Sequence, residues 1–283
     1  MKYEAVFKSH LAAIEQTLQR VLPSERQYPS VIHEAMRYAV FPGGKRFRPV
    51  LVLAACEAAG ANMEMGLMPA AAIELIHCYS LVHDDLPALD SDDMRRGKPS
   101  CHKQFGEAMA ILAGDGLLTL SFHILAGIQP PKRAAELLAE ISTAAGTYGM
   151  IGGQVADLLS SRDHPTLPMI DYINVHKTGK LIKASVVAGA LAAGAAREIT
   201  GRMNKYGECI GLAFQSIDDL VDGDGYLRLA KPKEIRQKVR DLIAKAKREI
   251  RPFGKRADKL HLLADFLLKR MPRESHLHAK VDR

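Results

Sequence analysis

Apolar residues recur at helical spacing along almost the whole chain. Phe7, Leu11, Ile14, Leu18 and Val21 step by four, three, four and three, which lays one apolar stripe along an amphipathic helix. Comparable patterns over residues 46–59, 68–85, 106–126, 132–150, 171–195, 203–222, 233–250 and 258–270 predict further helices. Alternating β-branched runs and Asn-Gly turns, the marks of hairpins, are nearly absent. Breaks fall at Pro42-Gly43-Gly44, Gly60-Ala61-Asn62, Pro130-Pro131 and His164–Pro168, with no long linker and no repeat at solenoid period. The pattern predicts one all-α domain over residues 1–283, a single-domain antiparallel helical bundle around a central cavity.

Composition agrees with a soluble globular protein: 283 residues, 47% hydrophobic and 25% charged. The formal charge of +7 is compatible with nucleic acid, a membrane surface or a small anion. The basic residues form short clusters beside Gly or Asp and not a long N-terminal arm. That distribution favours the small anion, and no nucleic-acid motif or aromatic–basic interleaving is present. The run Lys231–Arg256 is richer in Lys and Arg and reads as a solvated helix face. Cys56, Cys78, Cys101 and Cys209 make no C-x-x-C pair, so reduced thiols in a cytoplasmic protein are expected. The charged start MKYEAVFKSH predicts no signal peptide. The longest apolar candidate, Ala184–Ala196, is rich in Ala and Gly and predicts a packed core helix, not a membrane span.

Two apolar helices end in bursts of carboxylates. The first is His77-Cys78-Tyr79-Ser80-Leu81-Val82-His83-Asp84-Asp85-Leu86-Pro87-Ala88-Leu89-Asp90, and the second is Phe214-Gln215-Ser216-Ile217-Asp218-Asp219-Leu220-Val221-Asp222. In the second, Asp218 and Asp222 share a helix face, with Gln215 one turn earlier. In the first, Asp84 and Asp90 are six apart, which a straight helix would not align; Pro87 is expected to end the helix and let Asp90 swing back. Clustered carboxylates repel and need cations to stay ionised. Magnesium suits them, because it takes a few carboxylate oxygens, keeps waters and bonds substrate phosphates.

Basic residues accompany both bursts. Gly43-Gly44-Lys45-Arg46-Phe47-Arg48 sets Lys45 and Arg48 after a Gly pair, where backbone can approach an anion and Arg can fork two phosphate oxygens. Arg95 and Arg96 follow the first acidic motif, and His176-Lys177-Thr178-Gly179-Lys180 puts two lysines and a hydroxyl near a helix break. His77 lies two turns before Asp84. Any one basic pair is ordinary surface; two acidic with three basic clusters point to a diphosphate site.

These residues resemble the trans-prenyltransferase (polyprenyl synthetase) family, and within it the bacterial farnesyl diphosphate synthases. The resemblance runs through GGKRFRP, HCYSLVHDDLPALDSDDMRRGKPSCH, GGQVADL at 152–158, HKTGKLI and FQSIDDLVD, about residues 30–225. It implies three magnesium ions with Asp84, Asp90 and Asp218 as first ligands and Asp85, Asp219 and Asp222 nearby. It implies that Arg95, Lys177, Thr178 and Gln215 hold or flank an allylic diphosphate. Lys45, Arg48, His77 and Arg96 match positions that hold isopentenyl diphosphate. It further implies a homodimer, and a fifteen-carbon product limited by the bulky Tyr79, with Ser80 beside it. The alternatives are a geranylgeranyl diphosphate synthase and a catalytically silent partner subunit. The pattern departs after Asp222: Gly223-Asp224-Gly225-Tyr226 leads directly into Leu227–Ile250, about twenty residues shorter than the family pattern and without its lysine, for which Lys231 or Lys233 is a weak substitute.

Overall fold

The computed structural model describes residues 2–41, 44–160, 166–223 and 225–272. The breaks expected at Pro42-Gly43 and at His164-Pro165, and Asp224 of the shortened segment, lie outside the described residues. The chain divides into two compact units, Met1–Leu53 with Gly66–Leu138, and Ala54–Met65 with Ala139–Arg283.

The first unit contains α1 (Tyr3–Val6), α2 (Lys8–Val21), α3 (Ser30–Val40), the start of α4 (Phe47–Ala58), α5 (Leu67–Asp84), α6 (Cys101–Phe105), α7 (Glu107–Ala126) and the start of α8 (Pro131–Ala145). Its centre is α5, which packs on α7, α2 and α3. Phe7, Ile14, Leu18, Ile73, Leu75, Ile76, Leu117 and Leu125 are fully buried there. Burying one such side chain contributes about 1.5–3 kcal/mol, so the apolar stripe, not local propensity, fixes these helices. Arg46 is an internal tie. Its Nε donates to Glu15 (2.7 Å), Nη1 to Glu74 (2.7 Å) and Nη2 to the Val40 carbonyl (2.9 Å).

Beyond the helices, β1 (Met94–Arg95) pairs antiparallel with β2 (Lys98–Pro99). Arg96 and Gly97 between them both have positive φ, 53° and 78°, the twist that suits a two-residue hairpin turn. This small hairpin was invisible to the strand pattern because its strands are only two residues long.

The second unit contains α9 (Met150–Ser160), α10 (Leu167–Ile173), a π-helical turn (Asn174–Gly179), α11 (Lys180–Ala192), α12 (Arg197–Asp222), a 3-10 turn (Gly225–Arg228), α13 (Pro232–Ile250) and α14 (Asp258–Arg270). The long α12 packs on α11, α13 and α14, with Tyr206, Ile210, Ile217, Val239 and Leu263 buried. The Tyr206 hydroxyl donates to the Leu260 carbonyl at 2.7 Å, which satisfies the polar end of a buried ring.

The helices expected from periodicity are present, with instructive differences. The segment 132–150 stops at Ala145, before Gly146-Thr147-Tyr148-Gly149, and α9 follows as a separate helix. The segment 171–195 is interrupted by the π-helical turn. Two helical stretches, Met63–Asp84 and Glu107–Ala126, are long and apolar enough to cross a membrane by length and composition, more so than the Ala184–Ala196 candidate. In the first, 67% of the apolar window is buried inside the protein, as in a core helix.

Candidate active site

The first acidic motif is built by the end of α5. The helix closes at Asp84, and the chain turns sharply: the Leu89 N–H donates to the Leu86 carbonyl (2.9 Å) and the Ser91 N–H to the same carbonyl (3.1 Å). The Asp90 N–H then donates to the Asp84 carbonyl at 2.9 Å. Asp90 is thus carried back beside Asp84, as the proline at position 87 led one to expect. Asp84 is half-buried and Asp90 exposed, whereas Asp85 is buried. Arg95 grips Asp85 through Nε, 2.9 Å from Oδ1 and 3.2 Å from Oδ2, and through Nη2, which also reaches Asp92 at 2.8 Å. Asp85 therefore anchors the hairpin to the helix end while its neighbours face outward.

His77 sits two turns back on α5. Burial, followed by the fields of Arg48, Arg96, Arg46 and Arg95, pushes its imidazole well below the usual range. The ring is held neutral, able to donate at one nitrogen and accept at the other. The guanidinium of Arg96 lies over the backbone of Gly44, where a Cβ would sit 3.0 Å from Cζ. The positive groups foreseen from sequence are therefore gathered: Arg48, Arg95 and Arg96 act together on His77, and Lys45 is exposed next to Gly44. Such a cluster strains against itself and is relieved by an anion. One turn before Asp84, Tyr79 is buried and meets the His83 ring edge-on at 5.8 Å. Burial and the Asp84 charge push its hydroxyl up to about 12.

In the second unit a cavity of about 250 Å³ is lined by Asp157, Asn174, Lys177, Thr178, Gln215, Asp219 and Asp222, among others. The π-helical turn supplies Lys177 and Thr178. Such turns widen the helix by one residue and re-aim the side chains they carry. Lys177 Nζ lies 2.6 Å from Asp157 Oδ2 on α9. The close approach of α9 depends on Gly153, where a Cβ would lie 2.1 Å from the Lys177 backbone nitrogen. On α12, Asp219 is buried and accepts from Asn174 Nδ2 (3.0 Å), Gln215 Nε2 (2.9 Å) and the Tyr226 N–H (3.1 Å). Asp218 is paired with Arg270 at 2.9 Å, and Asp222 is exposed. Lys231 and Lys233 are exposed at the start of α13, where the Lys231 N–H donates to Glu234 (3.1 Å) as a helix cap.

Sequence reasoning missed Asp157 and Asn174 in the lining of this cavity and Arg270 as the partner of Asp218. Asp157 lies inside the GGQVADL stretch and Asn174 lies three residues before Lys177, so spacing could have found both. A single Arg at the end of the mixed-charge α14 gave no such signal.

Among the described residues, no three Asp, Glu, His or Cys side chains converge closely enough to hold a metal by themselves. Each acidic motif taken by itself nonetheless offers hard oxygen: the half-exposed Asp84 and exposed Asp90 in the first unit, and the half-exposed Asp218 and exposed Asp222 in the second. That fits magnesium, which binds through one or two carboxylates plus waters and substrate phosphates.

A family model described as Polyprenyl synthetase matches residues 29–242. A farnesyl diphosphate synthase of Geobacillus stearothermophilus is 44% identical over 229 residues, 80% of this chain and 77% of the relative. A geranylgeranyl diphosphate synthase of Cyanophora paradoxa is 40% identical over 280 residues, 91% and 93% of the two chains. Among solved structures, an FPP/GFPP synthase of Zymomonas mobilis superposes with a TM-score of 0.89 at 37% identity, covering 94% of this chain and 98% of its own. With its helical fold, its two aspartate-rich helix ends and its basic clusters matched over most of its length, the chain belongs to the polyprenyl synthetase family.

Proposed function

We propose that this chain is a magnesium-dependent prenyltransferase that condenses isopentenyl diphosphate with dimethylallyl or geranyl diphosphate to give farnesyl diphosphate. The observation that carries the reading is on α5: Asp90 folded back to Asp84 at its end, and a neutral His77 among arginines two turns earlier. Asp84, Asp90, Asp218 and Asp222 would hold magnesium, three ions by resemblance, with Asp85 and Asp219 supporting them from within. Bound magnesium would neutralise the departing diphosphate and so favour ionisation of the allylic carbon–oxygen bond. Lys177, Thr178 and Gln215 would bind the allylic diphosphate, with Arg95 beside them in role. Lys45, Arg48, His77 and Arg96 would fix isopentenyl diphosphate, and that orientation supplies much of the rate. The new carbon–carbon bond forms from the isopentenyl double bond, and the proton lost afterwards passes to the released diphosphate, so no protein nucleophile is required.

Tyr79 supports the fifteen-carbon product: it is bulky, buried and five residues before Asp84. The Cyanophora relative keeps a twenty-carbon product as the alternative. Chromatography of labelled products tests this. Wild type is expected to stop at fifteen carbons and Tyr79→Ala to run longer; mainly twenty-carbon output from wild type would overturn the farnesyl reading. A homodimer is part of the same proposal, supported by the exposed apolar Ile111 and Leu112 on α7, and sedimentation would check it.

A further inference from the structure

The second acidic motif already meets a cation of the protein's own. Arg270, the last residue of α14, places Nη2 2.9 Å from Asp218 Oδ1. Its guanidinium carbon lies 5.0 Å from the centroid of the Phe214 ring, one turn before Asp218 on α12. The ring and the carboxylate therefore hold the guanidinium from two sides. Asp218 and Arg270 are only 26% and 23% exposed, so the pair is partly shielded from water. Asp219 next to it is turned inward by three donors. Gly225 of the connection after α12, at φ 59°, presses against that carboxylate: a Cβ there would lie 2.4 Å from Asp219 Cγ. The connection after α12 and the end of α14 thus both bear on this motif.

A divalent ion at Asp218 would share the carboxylate that Arg270 already neutralises at Oδ1, and two cations on one carboxylate repel. We propose that Arg270 is an internal cation that competes with divalent metal for Asp218, so that metal binds at the second motif only as the guanidinium is displaced. This rests on the reading of Asp218 as a metal ligand. Arg cannot lose its proton at working pH, so the guanidinium remains a competing charge, and metal concentration and ionic strength set the balance.

The test is Mn2+ binding to the full chain, read from the electron paramagnetic resonance of free Mn2+. Arg270→Gln is expected to bind Mn2+ about three- to ten-fold more tightly, the worth of a half-shielded ion pair with ring contact. Arg270→Lys keeps the charge and is expected near wild type. Asp218→Asn is expected to weaken binding, and adding Arg270→Gln to it should then change nothing further. Phe214→Leu loosens the guanidinium without removing it, and should shift affinity in the same direction by less. If Asp218→Asn weakens binding while Arg270→Gln and Phe214→Leu match wild type, the competition is refuted and the ligand reading survives. If Asp218→Asn binds as wild type does, the ligand reading falls and the competition with it.

Discussion

Gly153→Ala would test how the π-helical turn positions Lys177 and Thr178. The added Cβ would fall 2.1 Å from the Lys177 nitrogen, 2.5 Å from its Cα and 2.7 Å from the His176 carbonyl carbon. Non-bonded atoms rest at about 3.5–4.0 Å. The neighbours are backbone, so no side-chain tip can swing away, and the two helices must part by more than about 1 Å. Two terms oppose each other in stability. Ala in place of Gly within a helix gains about 1 kcal/mol, and overpacking costs about 1–3 kcal/mol. The net loss is therefore about 0–2 kcal/mol. Activity should suffer more, because a displacement of about 1 Å in groups that position a substrate costs on the order of 100-fold in rate. Gly201→Ala on α12 is the control: nothing lies within 4 Å of its Cβ, so only the propensity gain of about 1 kcal/mol applies. Thermal melting and steady-state kcat/KM would be measured on both. A Gly153→Ala protein as stabilised as Gly201→Ala, with unchanged kcat/KM, would refute the close-packing argument.

Further outcomes follow from buried groups. Glu74→Gln removes one partner of the fully buried Arg46, which costs about 3–5 kcal/mol where no other partner exists. Glu15 remains, so the low end, about 3 kcal/mol and a fall of about 6–12 °C in Tm, is expected in a melting experiment. His77 has a depressed pKa in the folded state. The unfolded chain takes up a proton below about 6.5 that the folded ring refuses. Its contribution to stability is therefore present above that pH and lost as pH falls towards the folded value. His77→Gln should flatten the loss between pH 7.5 and 5.5 in melting curves, and an unchanged slope would contradict it. All four cysteines are buried, and burial raises the thiols of Cys78 to about 12 and Cys101 to about 11. Ellman's reagent at pH 8 should therefore react slowly with native protein and fully with unfolded protein; four fast thiols in the native state would contradict this.

Much of the fold was legible because apolar spacing reports burial directly. The Phe7–Val21 stripe became α2, and the apolar run before Asp84 became the central α5. What periodicity could not show were features set by backbone packing. The π-helical turn arises where Gly153 lets α9 touch the Lys177 backbone, a three-dimensional coincidence that leaves no period. The α3 helix, by contrast, was open to periodicity: Ile32, Ala35, Met36, Ala39 and Val40 keep helical spacing, with His33, Glu34 and Arg37 on the opposite face. Within the site, residue types and local spacing were sufficient for the acidic motifs and for the return of Asp90. They were insufficient for the partners of those residues. Asp85 goes to Arg95, and Asp218 goes to Arg270, 52 residues away in sequence.

The most direct measurement is condensation itself: purified chain, magnesium, labelled isopentenyl diphosphate, and dimethylallyl or geranyl diphosphate. An allylic product that forms with magnesium and vanishes on chelation is expected. No condensation product from protein shown by its melting curve to be folded would contradict the assignment, and would favour a catalytically silent partner subunit.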